Sequence, residues 1–309
     1  MSSQKIAVTQ YIKANNGITF AYRQLGISED IPLVMQIHFR ANMDFWDPLL
    51  LSSLSSSRRV IIFDQAGVGK STGEVPRTFQ GWADDMIAFV EALQLDKIDL
   101  FGFSMGGCAV QMVALTAPQL VHKLILAGTG PSAPTSSSPT GIVWPREVAP
   151  PKPIELLSTA ATFEETRHAI AYSFFPLELE EGRIAAEAYW QRISKRPMAN
   201  ESPLLELLDH KVGAKNQRAS YRDWDKPNPH NSFDRLGELK MPVLVLNGDN
   251  DILIPTSRSW ELMRGIPHAQ LILYPQAGHG FLYQHAELVA MHINMFLDGS
   301  DCGCAQPRL

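Results

Sequence analysis

Basic charge in excess, cysteine and long apolar runs are all scarce in this chain. Its 309 residues carry 27 Lys and Arg against 32 Asp and Glu, a formal charge of -5. There is no basic surplus of the kind that neutralises phosphates, which excludes nucleic acid as the expected partner. No apolar stretch reaches the roughly 20 residues that a membrane-spanning helix needs, which excludes a bilayer span. Three cysteines, Cys108, Cys302 and Cys304, are too few for a disulfide framework. Met1 to Val8 hold neither a basic start leading into a long apolar run nor a small-residue cleavage site, so the expected location is cytoplasmic. The Cys302-Gly303-Cys304 pair reads as a frayed end rather than a soft-metal site, and neither metal nor cofactor is expected. With 45% apolar and 19% charged residues, the rest has the composition of a globular protein long enough to bury a substantial core.

Short apolar runs and helical periodicities alternate through the first part of the chain. Lys5 to Lys13 and Ile18 to Arg23 flank the turn signal Asn15-Asn16-Gly17 and predict an antiparallel hairpin at a sheet edge. Pro32 to Phe39, Arg59 to Asp64, Ile98 to Phe103 and Val121 to Gly128 read as strands covered on both faces. Between them, Asp47 with Pro48 marks a helix start, Phe79 to Leu95 places apolar residues at helical spacing, and residues 105 to 117 continue as a helix. The rhythm stops at Gly130, where small residues and prolines take over. It resumes with Met241 to Gly248, a helix from about Thr256 to Arg264, Leu271 to Tyr274 and a final helix to about Leu297. This alternation predicts a mostly parallel α/β sheet. The interruption divides the chain into a first core part (1–131), a helical insertion (132–232) and a second core part (233–309). His38 and the insertion's aromatics Trp144, Phe174, Phe175, Trp190 and Trp224 are the candidates for a substrate pocket, although helix-spaced aromatics mostly serve packing.

Two loops suggest chemistry, and one of them fails on inspection. Gly69-Lys70-Ser71 mimics the end of a phosphate-binding loop, but the first glycine of that pattern would fall at position 64, which is Asp64. Gly102-Phe103-Ser104-Met105-Gly106 is a G-x-S-x-G pattern between a strand and a helix. A serine held on so tight a turn brings its second neighbours on either side together, which requires small residues there, and it faces the unpaired first amides of the following helix. A serine hydroxyl is a weak nucleophile and needs a base with a group to orient it. Asp251 follows one late strand and His279 the next, so their loops reach the same sheet edge as Ser104. Asp249 is the competing carboxylate. The remaining histidines, His122, His168, His210, His230, His268, His285 and His292, are expected in structural or solvated roles.

The order Ser104, Asp251, His279, the glycine-flanked elbow, Gly248-Asp249-Asn250-Asp251 before Pro255, and Ala277-Gly278-His279-Gly280 together resemble the α/β-hydrolase superfamily, specifically its capped members. The resemblance spans nearly the whole chain and is weakest in the insertion. It implies an α/β-hydrolase fold with an inserted helical cap, Ser104 as nucleophile, His279 as general base and acid, Asp251 as its orienting carboxylate, and the Met105 amide as one oxyanion donor. Many relatives have His-Gly where this chain has His38-Phe39, so the second donor is the amide of Phe39 or, with a different gap, of Arg40; Arg40 also has a structural reading, an ion pair with Asp44.

The implied reaction is acyl transfer on an ester, thioester or lactone of a mid-sized, largely apolar small molecule. The elbow's spelling is similar to that of cofactor-free haloperoxidases and perhydrolases, and the same triad serves carbon–carbon bond hydrolases and some hydroxynitrile lyases. A ligand-sensing receptor on this fold is the alternative of another class. Serine rather than aspartate at the elbow argues against dehalogenases and epoxide hydrolases. Oligomeric state is left open, a homodimer included.

Overall fold

The computed structural model describes residues 7–135, 149–195, 205, 207 and 212–299. The first hairpin forms where the turn signal places it. Gly17 takes φ +86°, and β1 (Gln10–Lys13) pairs antiparallel with β2 (Thr19–Leu25) in the register Lys13 to Thr19. The chain then enters β3 (Leu33–Gln36), which is buried throughout and shorter than the apolar run that announced it. Asp47 caps α1 (Pro48–Ser55) by accepting from Leu49 N at 2.9 Å, with Pro48 in the first turn.

Next come β4 (Val60–Phe63), α2 (Phe79–Ala92), β5 (Ile98–Phe103), α3 (Met105–Thr116) and β6 (Val121–Ala127). Pro118 stops α3, because the residue before a proline is driven out of the helical region; Ala117 sits at φ -130°. Four helices follow with no strand between them among the described residues: α4 (Pro151–Thr159), α5 (Phe163–Phe174), α6 (Glu180–Ser194) and α7 (Gly213–Trp224). The chain closes with β7 (Val243–Gly248), α8 (Ser257–Gly265), β8 (Ala269–Tyr274), α9 (Phe281–Gln284) and α10 (Ala286–Asp298). The single final helix expected from the sequence is therefore two, broken at His285, which leaves the helical region at φ -115°, ψ 41°.

The sheet has eight strands in the order β1-β2-β4-β3-β5-β6-β7-β8, antiparallel at β1/β2 and β2/β4 and parallel elsewhere. Strand alternation sorts the core into two layers. Leu33, Met35, Ile62, Phe101, Ile125 and Leu246 point toward α1 and α10, while Val34, Ile61, Leu100, Leu124 and Val245 point toward α2, α3 and α8. With all six parallel strands running the same way, their C-terminal ends share one edge, where loops from distant parts of the chain meet.

The ends of the intervening helical segment are pinned to each other. Ser132 N donates to Ser232 Oγ at 3.1 Å, and Phe233 N donates back to Ser132 Oγ at 2.9 Å, both serines being fully buried. A second tie comes from α6. The Arg192 guanidinium grips both oxygens of the buried Asp47 carboxylate, at 2.8 Å from Nε to Oδ1 and 2.5 Å from Nη2 to Oδ2, and reaches Tyr283 O at 3.1 Å. Asp64, where a phosphate-binding loop would need glycine, organises its turn instead: its carboxylate accepts from Met43 N and Lys70 N at 2.8 Å each. A Cβ on Gly69 would lie 2.2 Å from that carboxylate.

Removing the guanidinium strands a buried carboxylate that also caps α1. Arg192→Met is expected to cost about 3 kcal/mol of stability, read as a lower urea midpoint; an unchanged midpoint would show that the fork contributes nothing.

Candidate active site

Ser104 sits between β5 and α3 at φ 58°, ψ -122°, a region that side chains rarely occupy. Its amide is held by Ala127 O at 2.9 Å and its carbonyl by Gly107 N at 2.9 Å. The glycines are dictated by contact. A Cβ on Gly102 would stand 2.5 Å from Gly106 O, and one on Gly106 would stand 2.3 Å from Gln36 O. The turn thus requires bare backbone on both sides of the serine, as the spacing alone suggested. Met105 supplies the first amide of α3, which has no acceptor within the helix. Nearby Cys108 is no rival nucleophile, since burial pushes its thiol up to about 12.

The carboxylate and imidazole predicted for this edge meet there. Asp251 Oδ1 accepts from Leu253 N at 2.8 Å and Ile254 N at 2.9 Å, which fixes the carboxylate in its own turn. Asp251 Oδ2 lies 2.7 Å from His279 Nδ1, both side chains being buried. The competing Asp249 instead accepts from Ala277 N at 3.2 Å and so shapes the histidine loop. A carboxylate accepts, so Nδ1 carries the proton and neutral His279 presents a bare Nε2; that atom is buried and has no hydrogen-bond partner. The ring lies against Phe103, the residue before Ser104, with centroids 4.9 Å apart, and beside Gly128, where a Cβ would come within 3.3 Å of it.

The helical segment reaches into this site. Phe174 O at the end of α5 accepts from Gly280 N at 2.7 Å, and the Phe174 ring meets His279 edge-on at 5.1 Å. Tyr283, one turn after His279 and not singled out from the sequence, stacks on Tyr189 of α6 at 4.4 Å and on Phe174 at 6.2 Å. Its signal was its spacing of four from the histidine, which reads as ordinary helix periodicity.

His38 is enclosed by Phe45, Phe103 and Phe174 at 6.2, 5.5 and 5.0 Å. Burial holds it down to about 3, against a backbone hydrogen bond to Phe39 that acts the other way. Arg40 takes φ 60°; its amide donates to Gln217 Oε1 of α7 at 2.8 Å and its guanidinium to Leu157 O at 2.8 Å. Asp44 pairs with Arg23, whose Nη1 reaches its carboxylate at 2.5 Å.

The pocket candidates separate. Phe174 touches both imidazoles, and Phe175 packs on Tyr189 at 5.9 Å. Trp190 faces Phe163 and lines a cavity of about 200 Å³ between α5 and α6. A smaller cavity of about 130 Å³, bordered by Phe174, Phe175, Asn250 and Gly278, lies against the acid and histidine loops. Trp224 must be corrected: it sits edge-on to Phe79 at 5.2 Å in the layer of α2 and α3, because the buried face of α7 meets α2 there. Trp144, His210, Cys302 and Cys304 lie outside the described residues. Of the other histidines, His122 pairs with Asp99 at 2.8 Å and His292 with Tyr274 Oη at 2.9 Å. Among the described residues no group of three or more His, Cys, Asp or Glu is arranged to hold a metal ion, and no helix is long and apolar enough to cross a membrane.

A mostly parallel sheet with a strained serine on the turn after its central strand, and an Asp-held histidine on the same edge, defines the α/β-hydrolase class. The chain belongs to the alpha/beta hydrolase fold family, whose model matches residues 33–286. It is similar to a putative carbamate hydrolase RutD of Rhizobium rhizogenes, 28% identical, the match covering 76% of this chain and 80% of that protein. It is also similar to a poly(3-hydroxyalkanoate) depolymerase of Ectopseudomonas oleovorans, 28% identical, covering 86% and 84%. Among solved structures, an alpha/beta hydrolase fold protein from Chitinophaga pinensis superimposes with a TM-score of 0.80 at 32% identity, covering 95% of this chain and 98% of that one.

The folded protein keeps His38 neutral to about 3, whereas the unfolded chain protonates it near 6.5. The unfolded state therefore binds more protons in that window, and the stability His38 contributes is complete above it and lost as pH falls through it. The urea midpoint of the parent relative to that of His38→Phe is expected to fall between about pH 7.5 and about pH 4.5; a difference independent of pH would show that His38 is not held neutral.

Proposed function

We propose that the protein is a serine hydrolase that cleaves an ester, thioester or lactone of a mid-sized, largely apolar molecule through an acyl-enzyme on Ser104. The observation that carries this reading is the 2.7 Å hydrogen bond from His279 Nδ1 to Asp251, which leaves Nε2 bare, buried and unpartnered against the residue preceding Ser104. The hydrolase and depolymerase names of the relatives agree with it.

In this mechanism Ser104 Oγ attacks the carbonyl carbon as its proton passes to His279 Nε2, and the carbonyl π pair moves onto oxygen. Collapse of that oxyanion breaks the bond to the leaving group, which takes the proton from Nε2. Water then repeats the sequence on the acyl-enzyme, releasing the acid and restoring Ser104. Asp251 holds the tautomer and stabilises the imidazolium. The Met105 amide is one oxyanion donor. For the other, the amide of Phe39 is preferred, since the Arg40 amide is occupied by Gln217. The segment between β6 and β7 acts as the cap, with Phe174 and Phe175 as its contribution to the substrate's apolar surroundings.

Against a panel of short-chain chromogenic esters, Ser104→Ala is expected to lose at least about 10⁴-fold in kcat/KM, and Asp251→Asn about 10³- to 10⁴-fold through the wrong tautomer. Undiminished turnover by Ser104→Ala would defeat the reading.

A further inference from the structure

His38 has a feature that packing does not require. Its Nδ1 lies 3.1 Å from Phe39 O, and a carbonyl only accepts, so Nδ1 carries the proton. Its Nε2 is then a bare acceptor, and it is buried without any hydrogen-bond partner. An unpaired buried acceptor is destabilising, yet phenylalanine would fill the same aromatic enclosure without that penalty.

The position of this acceptor gives it meaning. His38 and His279 lie against the same two rings: Phe103 at 5.5 and 4.9 Å, and Phe174 at 5.0 and 5.1 Å. His38 also directly precedes Phe39, whose amide is the preferred oxyanion donor, and the residue is 3% exposed. The three phenyl rings packed on it offer no hydrogen to Nε2. Two imidazoles, each with a buried and unpartnered Nε2, therefore pack against the same pair of rings. His279 Nε2 has a use in acyl transfer, for the Ser104 proton, and His38 Nε2 has none in that chemistry.

We propose that His38 Nε2 accepts a hydrogen bond from the acyl part of the substrate, so that the preferred substrates carry an O–H or N–H donor next to the carbonyl that is attacked, as 2-hydroxyacyl and 2-aminoacyl esters do. The inference rests on the acyl-transfer reading for its chemistry but on His38 alone for its selectivity. A site built around an unpaired acceptor discriminates strongly, because an analogue without the donor leaves that acceptor desolvated and unpaired. Selectivity of this kind exceeds what apolar enclosure gives, where one methylene changes binding only modestly.

The test uses the full chain and three matched probes, methyl 2-hydroxybutanoate, methyl 2-methoxybutanoate and methyl butanoate, followed by acid release. The hydroxy ester is expected to exceed both others by about 10- to 100-fold in kcat/KM. In His38→Phe that preference is expected to fall to within about threefold, and in His38→Gln, which keeps an acceptor, to be partly restored. A second arm measures binding to Ser104→Ala by the ¹⁵N resonances of His38. The hydroxy ester is expected to move the Nε2 signal and the methoxy ester to leave it in place. Equal rates on the three esters in the parent protein, a preference that survives in His38→Phe, or an unmoved Nε2 signal at saturating hydroxy ester would each overturn the proposal, the last assigning the acceptor to a buried water. Absence of turnover on all three esters with a responsive Nε2 signal would overturn acyl transfer while sustaining His38 as the donor-reading residue.

Discussion

The geometry of this protein turns on the hydrogen bond between His279 and Asp251. It fixes which imidazole nitrogen is bare, and every other feature of the edge serves to hold its two partners. Asp251 is tied by two amides of its own turn, so the carboxylate does not follow the ring if the ring moves. His279 is held from three sides: by the carboxylate, by the Phe103 ring beneath it, and through Gly280 by the last carbonyl of α5. A group so fixed needs little reorganisation when charge develops near it, which is where preorganised sites gain most of their effect.

That third restraint makes the helical segment more than a cover. α5 ends in the carbonyl that anchors the histidine loop, while α6 forks the α1 cap and touches Tyr283 in the turn after His279. The stack of Phe174, Tyr283 and Tyr189 runs from the imidazole into the segment without interruption. Substitutions in α5 or α6 are thus transmitted to the histidine through packed rings and backbone hydrogen bonds rather than through substrate contact alone. The Ser132 and Ser232 exchange gives the segment a closed base.

The sheet, the elbow and the Asp–His pairing were legible because each is written in local chemistry. Alternating buried runs announced the strands, Gly102 and Gly106 announced the tight turn, and Asp47-Pro48 announced a helix start. The break from strand rhythm into prolines falls between β6 and α4. What escaped depends on contacts between residues far apart in the chain. The Phe174 carbonyl reaching Gly280 and the Arg40 amide reaching Gln217 leave no local trace. Trp224 shows the same limit in reverse: helical spacing marks a buried aromatic but does not say against which layer, and α7 turns it toward Phe79 rather than the site. The Arg23 side chain of β2 reaching Asp44 is a further contact that leaves no local trace.

In the proposed mechanism Ser104, His279 and the amides of Met105 and Phe39 act on one carbonyl. A crystal structure of the protein inactivated by a serine-directed alkyl phosphonate tests it most directly, because the adduct mimics the tetrahedral intermediate. The expected result is phosphorus bonded to Ser104 Oγ, its oxygen within hydrogen-bond distance of both amides, and His279 Nε2 facing Oγ with Nδ1 still on Asp251. Phosphorus on another residue, or an adduct oxygen turned away from both amides, would contradict it.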